Sequence, residues 1–457
     1  MLHKVLIANR GEVALRVICA CRELGLRTVS VFSEVDANAS HVRYADEAVC
    51  IGPAAPARSY LNTQAILSAA ELTRADAVHP GYGFLSESPE FAESAIAAGF
   101  IFVGPPPDLM RLLGDKSRAR HVMQAAGLSV LPGTKTPPET TDDAVASARR
   151  IGYPLMLKAA GGGGGRGVRI LKTEADLIRG WGTAQREAEA SCGDRRLYLE
   201  GYLSPARHIE VQILADGAGH VVHLGERECS LQRRHQKLVE ETPSVALTLS
   251  ERDRLATCVV DAARSVAYRG AGTFEFLMNA DRKLFFLEVN PRLQVEHAVS
   301  EMVTGIDIVK EQIRIASGDP LSIRQEDIQI HGHALECRIT AETPDTFRPS
   351  SGVLSMVRFP GGPGVRVDSA IHAGAAVPPD YDPLIAKLVT CGRDRDEAIA
   401  RMRRALDMTV IEGVETTIPL HRRIMADTDF QAGRLSTDFV RRLRSVPVAG
   451  PRPAPNR

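Results

Sequence analysis

Three stretches carry side chains whose types and spacing can do chemistry. KAAGGGGGRG, residues 158–167, sets five consecutive glycines before an arginine and a further glycine, with Lys158 at its start. Glycine loses more backbone freedom on ordering than any other residue, so such a run belongs where bare backbone must approach something closely. Here it lies between two strand patterns, PLMLKAA and VRILK, as the loop of a hairpin. Successive amides in such a loop form a nest for phosphate, and Arg166 adds a charged donor. The run therefore reads as a movable flap that nucleotide phosphates order. The alternative is a flexible spacer.

The second stretch is TFEFLMNADRKLFFLEVN, residues 273–290, a hairpin pattern. With Ala280–Lys283 as a four-residue loop, Phe274 faces Val289, Phe276 faces Leu287 and Met278 faces Phe285, which makes one face wholly apolar. The other face opposes Glu275 to Glu288 and Thr273 to Asn290. Carboxylates directly across a strand pair repel. A divalent cation removes that penalty, and oxygen ligands suit magnesium or manganese. Taken alone, the pair reads equally as a solvated acidic face, or as two glutamates that a loop of odd length would split. Beside a phosphate loop, metal is the reading, because nucleotide phosphates and magnesium come together.

The third stretch, PRLQVEH, continues that strand. Extended chain puts Arg292, Gln294 and Glu296 on one side, a bidentate donor for a small planar anion and a proton acceptor. Upstream, LQRRHQK supplies His235 and Lys237, in a basic run that alone reads as a surface feature.

The elements that must position these groups follow from hydrophobic periodicity. KVLIA, VALRVICACRELG, TVSVFS, ILSAAELTRA, AVHPG, FAESAIAAG and FIFVGP alternate as strand and helix, which predicts a mostly parallel α/β domain over residues 1–114. Its first turn lacks GxGxxG, so no dinucleotide site is expected there. LPGTKTPPETTDD reads as a Pro/Thr-rich linker. A small α+β unit follows, with the glycine hairpin, a helix near 174–190 and the strand RLYLEGYL. HIEVQILADGAGHVVHLGE reads as a hairpin turning at DGAG, and 251–268 as a helix. Beyond about residue 331 the chain becomes strand-rich, closes with a helix at DEAIARMRRAL, and ends in a Pro-rich tail that reads as disordered.

Bulk properties narrow the classes. Lys+Arg and Asp+Glu both count 56 in 457 residues, so no overall positive field draws nucleic acid, and an anion site must be built locally. No apolar run reaches the ~18 residues of a membrane span, and the N-terminus does not read as a signal peptide. The eight cysteines form no CxxC pair, which suggests neither zinc nor a disulfide framework and fits reduced thiols in the cytoplasm.

GDKSRAR around Lys116, LKAAGGGGGRG, RRHQK, AGTFEF, FLEVNPRLQVEH and HALECR occur in this order and spacing in biotin carboxylases, members of the ATP-grasp superfamily. KVLIANRGEVALRV and HPGYGFLSE resemble that family's N-terminal domain. The resemblance covers roughly residues 1–445. It implies an N-terminal α/β domain at 1–114, an ATP-grasp domain at 115–330 with a mobile lid at about 131–204, a strand-rich C-terminal domain at 331–446 and a disordered tail at 447–457.

It also implies a chemistry. ATP phosphorylates bicarbonate to carboxyphosphate, which releases CO₂ and phosphate; phosphate takes the N1′ proton of biotin, and the enolate attacks CO₂. By matching motif, Lys116, Lys158, Gly164, Gly165, Glu200, Leu203, His208 and His235 contact ATP, and Glu275, Glu288 and Asn290 hold magnesium or manganese. Lys237, Arg292, Gln294, Val295 and Glu296 bind bicarbonate, with Glu296 as its base. Arg338 stabilises the biotin enolate, and Tyr82 and Gly83 line the biotin site. Three positions depart from the commoner pattern: Gly201, Ala298 and Thr340. Cys229 reads as structural, since no step needs a thiolate.

No Met-Lys-Met biotinylation motif occurs, so the resemblance implies biotin on a separate carrier protein, carboxyltransferase subunits among its further partners, and a cytoplasmic homodimer. An acetyl-CoA carboxylase of several subunits, serving fatty acid biosynthesis, is the expected setting. Two other readings stand beside it. An ATP-grasp ligase joining an acid to an amine would have no use for RLQVEH with Arg338. A non-catalytic regulatory paralogue would have no use for the charged set.

Overall fold

The computed structural model describes residues 2–159 and 168–445 of the chain. Near the N-terminus five parallel strands lie in the order Glu47–Gly52, Arg27–Ser33, Lys4–Ile7, Ala77–His79, Ile101–Phe102. Their apolar runs are continuous because helices cover both faces. Gly11–Glu23 packs on one side, Thr63–Leu72 and Pro89–Ala97 on the other. Ligands in open α/β sheets sit outside the carboxyl ends of the strands. There the Asn9 side-chain amide donates to the carbonyls of Pro80 and Tyr82, 2.7 Å each, and ties down the loop HPGYGFLSE. Gly81, Gly83 and Phe84 of that loop all have positive φ, the backbone region that favours glycine.

The central element is an eight-stranded sheet in the order Leu284–Asn290, Gly270–Met278, Arg207–Ala215, Val221–Arg233, Gln236–Thr242, His333–Thr340, Leu384–Gly392, Val365–Ser369. Its neighbours pair antiparallel, and it runs without a break across residue 331 through the pairing of Gln236–Thr242 with His333–Thr340. Helices Lys116–Ala125 and Leu249–Ser265 bury one apolar core against its first strands. Arg395–Met408 and Ile418–Ala426 bury another against its last.

A separate three-stranded sheet, Arg169–Leu171, Leu155–Ala159, Leu197–Gly201, packs against helices Thr141–Ile151 and Glu174–Cys192 around Leu157, Trp181 and Leu199. The stretch expected to be a linker ends in a capping box. The Thr140 hydroxyl accepts from the Asp143 amide and the Asp143 carboxylate accepts from the Thr140 amide, which starts the helix. The Gly164 and Gly165 positions, with Arg166 and the expected flap, lie outside the described residues, as does the tail 447–457.

The hairpin of residues 273–290 corrects the expected pairing: Met278 faces Leu284, so residues 279–283, and not the four of Ala280–Lys283, separate the strands. Glu275 pairs with Glu288 and Thr273 with Asn290 in register, but the ladder then slips: Phe276 faces Phe286, not Leu287, and Met278 faces Leu284, not Phe285. Phe286 and Val289, three residues apart, are both buried in the core with Phe274 and Phe276. Strict alternation cannot put both on one face, so a bulge takes up the extra residue. On its far side the Phe286 amide donates to the Ser129 carbonyl at 2.7 Å. The run LQRRHQK is likewise a tight hairpin, with Arg233 opposite Gln236 and both intervening residues, Arg234 and His235, at positive φ. No helix among the described residues is long and apolar enough to cross a membrane.

Candidate active site

Cross-strand register builds the site. Glu288 faces Glu275, Glu275 faces Glu210 on the next strand, and Glu210 faces Arg227 on the one beyond. Three carboxylates therefore stand in a row on one face of the sheet, a repulsive arrangement unless cations interleave it. Lys237 does so. Its ammonium bonds Glu210, Glu275 at 2.8 Å and Glu296 at 2.6 Å. Burial works against its charge, but the three carboxylates raise its pKa well above the usual lysine range.

Glu275 and Glu210 take further support. The His208 ring lies 3.2 Å from Glu275 and 3.5 Å from Glu210. Burial opposes its protonation, and Glu275 overrides that to push its pKa up to about 9. In turn, burial raises the Glu275 carboxyl, but Lys237 and His208 bring it down to about 2. Asn290 donates to Glu275 at 2.7 Å. Fully buried Arg227 donates to Glu210 at 2.6 Å and to Gln212 at 2.8 Å.

Glu288 instead faces Lys116, the first residue of its helix, at 2.6 Å; Lys116 holds its carboxyl below the usual range. Lys158 is ion-paired with Glu200 on the neighbouring strand, both nearly buried. Leu203 lies in the connection from that strand to the central sheet, and exposed His235 at the hairpin turn. The donor set Glu275, Glu288 and Asn290 is all oxygen and faces one way. It fits magnesium, and the cations now beside the carboxylates show that this place needs positive charge.

PRLQVEH is not extended to its end. Arg292 donates to Gln294 at 3.1 Å and Asn290 at 3.2 Å, and its Nε bonds Glu87 of the N-terminal loop. Glu296 departs from the expected line. It stands at the start of helix His297–Thr304 with φ −80° and ψ 13°, because the chain turns into the helix there. Glu296 is fully buried, and its partners are Lys237 and Arg338. Arg338 donates to Glu296 at 2.7 Å and to Glu240 at 2.6 Å. Burial pushes the Glu240 carboxyl up to about 7 against the pull of Arg338. The Tyr82 hydroxyl bonds Glu12, and Gly83 sits beside it at φ +70°. The Val295 carbonyl accepts from Lys387 at 3.0 Å.

Sequence reasoning missed Glu210, Arg227, Glu87, Glu240 and Lys387. A signal existed for the first: His208, Glu210 and Gln212 alternate with Ile209, Val211 and Ile213, so one face of an otherwise apolar strand is polar. Of the departures, Gly201 leaves room for a side chain, since a Cβ there would meet nothing closer than the Pro132 carbonyl at 3.6 Å. Ala298 is buried in the helix that Glu296 starts. Thr340 anchors its strand to Thr417 through its amide at 3.0 Å. Burial and the neighbouring Glu210 carboxylate keep the Cys229 thiol protonated.

Comparison with known proteins matches three family descriptions in succession: the biotin carboxylase N-terminal domain over residues 1–110, the carbamoyl-phosphate synthase L chain ATP-binding domain over 115–324, and the biotin carboxylase C-terminal domain over 336–442. A biotin carboxylase of Pseudomonas aeruginosa is 52% identical over 441 residues, covering 96% of this chain and 98% of that one. A pyruvate carboxylase subunit of Methanothermobacter thermautotrophicus is 49% identical, covering 97% and 90%. Among solved structures, the biotin carboxylase domain dimer of Hydrogenobacter thermophilus 2-oxoglutarate carboxylase, in complex with MgADP, ADP and bicarbonate, superposes with a TM-score of 0.95 at 46% identity, covering 98% of this chain and 99% of that one.

Proposed function

The chain belongs to the biotin carboxylase family, and from that premise we propose how its residues divide the ATP-dependent carboxylation of biotin held on a separate carrier. The carrying observation is that fully buried Glu296 is held between Lys237 at 2.6 Å and Arg338 at 2.7 Å. A base with one oxygen on the anion-binding lysine and the other on an arginine reached from a different strand joins two half-reactions at one carboxylate.

In the first half-reaction Lys237, Arg292, Gln294 and the Val295 backbone hold bicarbonate. Glu296 takes its proton, and the freed oxygen attacks the terminal phosphorus of ATP while ADP leaves. Lys116, Lys158 and His208 balance the phosphate charge, with Glu200 orienting Lys158; Leu203, His235 and the amides of Gly164 and Gly165 complete nucleotide binding. Magnesium held by Glu275, Glu288 and Asn290 would neutralise charge on the transferring phosphoryl group. In the second, carboxyphosphate gives CO₂ and phosphate, phosphate accepts the biotin N1′ proton, and Arg338 stabilises the enolate that attacks CO₂. Tyr82 and Gly83 would line that pocket.

The same proposal takes acetyl-CoA as the final acceptor within a carboxylase of several subunits in fatty acid biosynthesis, with carrier and carboxyltransferase partners, a homodimeric state and a cytoplasmic setting. Full-length similarity to biotin carboxylases supports the reading as one part of a larger enzyme, while the pyruvate and 2-oxoglutarate carboxylase relatives define its rivals. ADP release with and without bicarbonate, alongside labelled carboxyl transfer to free biotin, tests the activity. A chain that hydrolyses ATP only with an amine acceptor sinks it. Partners co-purified with the chain, assayed on acetyl-CoA, pyruvate and 2-oxoglutarate, decide the acceptor.

A further inference from the structure

One buried cation lies outside the set just described. Lys387, on strand Leu384–Gly392, faces Arg338 on one neighbouring strand and Asp368 on the other. It is fully buried. Its ammonium has three donors and meets three acceptors: the Val295 carbonyl at 3.0 Å, Glu12 at 3.3 Å and Asp368 at 3.3 Å. Asp368 is separately neutralised by Arg366, at 2.8 and 2.9 Å. Glu12 lies in the first turn of helix Gly11–Glu23, and its other oxygen accepts the Tyr82 hydroxyl. The Gln294 carbonyl, one residue before Val295, is taken by His297 at 2.8 Å. Both carbonyls of the turn that leads into Glu296 are therefore held, the second by Lys387.

We infer that Lys387 is a positioning residue that links the bicarbonate turn to the biotin pocket, holding Val295 directly and the Tyr82 hydroxyl through Glu12; this rests on the biotin carboxylase reading above. A purely structural ion pair is complete with carboxylates alone. This one spends a donor on the backbone beside the base, and its carboxylate partner carries the hydroxyl of a residue assigned to the other substrate. Because the three groups come from the N-terminal domain, the loop after the metal hairpin and the C-terminal strands, the pair also fixes how those segments meet around the two substrates.

The test separates positioning from stability. In Lys387→Met the bicarbonate KM of biotin-free ATP hydrolysis should rise ~10- to 100-fold, the range for losing a hydrogen bond from a charged donor, with nucleotide affinity unchanged. Glu12→Leu should raise the KM for free biotin and leave the bicarbonate KM alone. Each single variant leaves a buried charge behind, so the double variant Lys387→Met/Glu12→Leu is the deciding one: replacing a buried ion pair by apolar residues of similar volume is often neutral. Positioning predicts a double variant that melts like the wild type yet keeps both KM defects. Return of both KM values to wild type, an unchanged bicarbonate KM in Lys387→Met, or a double variant that does not fold each overturns the proposal. Wild-type protein without bicarbonate-dependent ATP hydrolysis would be a different result, against the family activity itself.

Discussion

Arg338 and Glu296 are joined by a 2.7 Å bond although 42 residues separate them in the chain. The residue proposed to stabilise the enolate thus also touches the proposed base. Glu296 keeps its second oxygen on Lys237 at 2.6 Å, so the two contacts can be removed one at a time.

Arg338→Gln should cost carboxybiotin formation ~10²–10³ in rate, as for loss of one charge-stabilising donor. Bicarbonate-dependent ATP hydrolysis without biotin should fall less, because Lys237 still aims Glu296. Glu296→Ala should depress both activities. Measured side by side, ADP release and labelled carboxyl transfer that fall in equal proportion in the two variants would show that Arg338 has no separate role.

Lys237→Met leaves Glu210, Glu275 and Glu296 facing one another with their shared ammonium gone. Breaking a buried charge network by removing one partner costs about 3–5 kcal/mol, so the metal-free variant should melt well below the wild type. Magnesium with ADP should recover part of the loss. Metal-free melting temperatures that coincide would mean that other groups balance the row.

Glu288→Gln has two opposed effects. It relieves the repulsion with Glu275 but gives up the 2.6 Å pair with Lys116. The Glu288 side chain is 31% exposed, and ion pairs near the surface contribute about 0–1 kcal/mol. Metal-free stability should therefore change little, while magnesium-dependent activity falls steeply. A metal-free melt lowered by many degrees would mark the pair with Lys116 as the structural role of Glu288.

His41 is fully buried in helix Ser40–Tyr44, and neither ring nitrogen has a hydrogen-bond partner. Burial lowers its pKa from 6.5 to about 4, against the pull of Asp36 and with help from Arg10. Below about pH 6.5 the unfolded chain binds a proton that the folded chain refuses, so stability falls as pH drops from about 6.5 to about 4, by about 1.4 kcal/mol per pH unit for this one group. Above pH 6.5 the ring is neutral in both states and contributes no slope. Urea midpoints taken across this window should flatten in His41→Leu; an unchanged slope would exclude His41 as a source.

Local sequence carried much of the chemistry. Alternation with period two keeps Thr273, Glu275, Glu288 and Asn290 on one face, but the expected four-residue loop did not set their pairing. Next to the turn Met278 faces Leu284, one residue out of that register, and the bulge restores Glu275 opposite Glu288 and Thr273 opposite Asn290. The bulge arises because Phe286 and Val289 both reach one core, which strict alternation forbids. Helix Thr141–Ile151 escaped notice because Pro and Thr precede it and its buried face is only Ala144 and Ala148. What tertiary structure decided was which charges neutralise which. Lys237 lies 27 residues from Glu210 and 59 from Glu296; Glu87 lies 205 residues from Arg292, and Lys387 lies 92 from Val295. No residue pattern encodes such meetings, since they depend on the order of strands in the sheet and on how the N-terminal loops seat against it. The residue types proposed for phosphate, metal and proton transfer lie in motifs of the chain itself. Their common centre existed only once the strands carrying Glu210, Glu275, Lys237 and Arg338 lay in one sheet and the turn holding Glu296 closed against it.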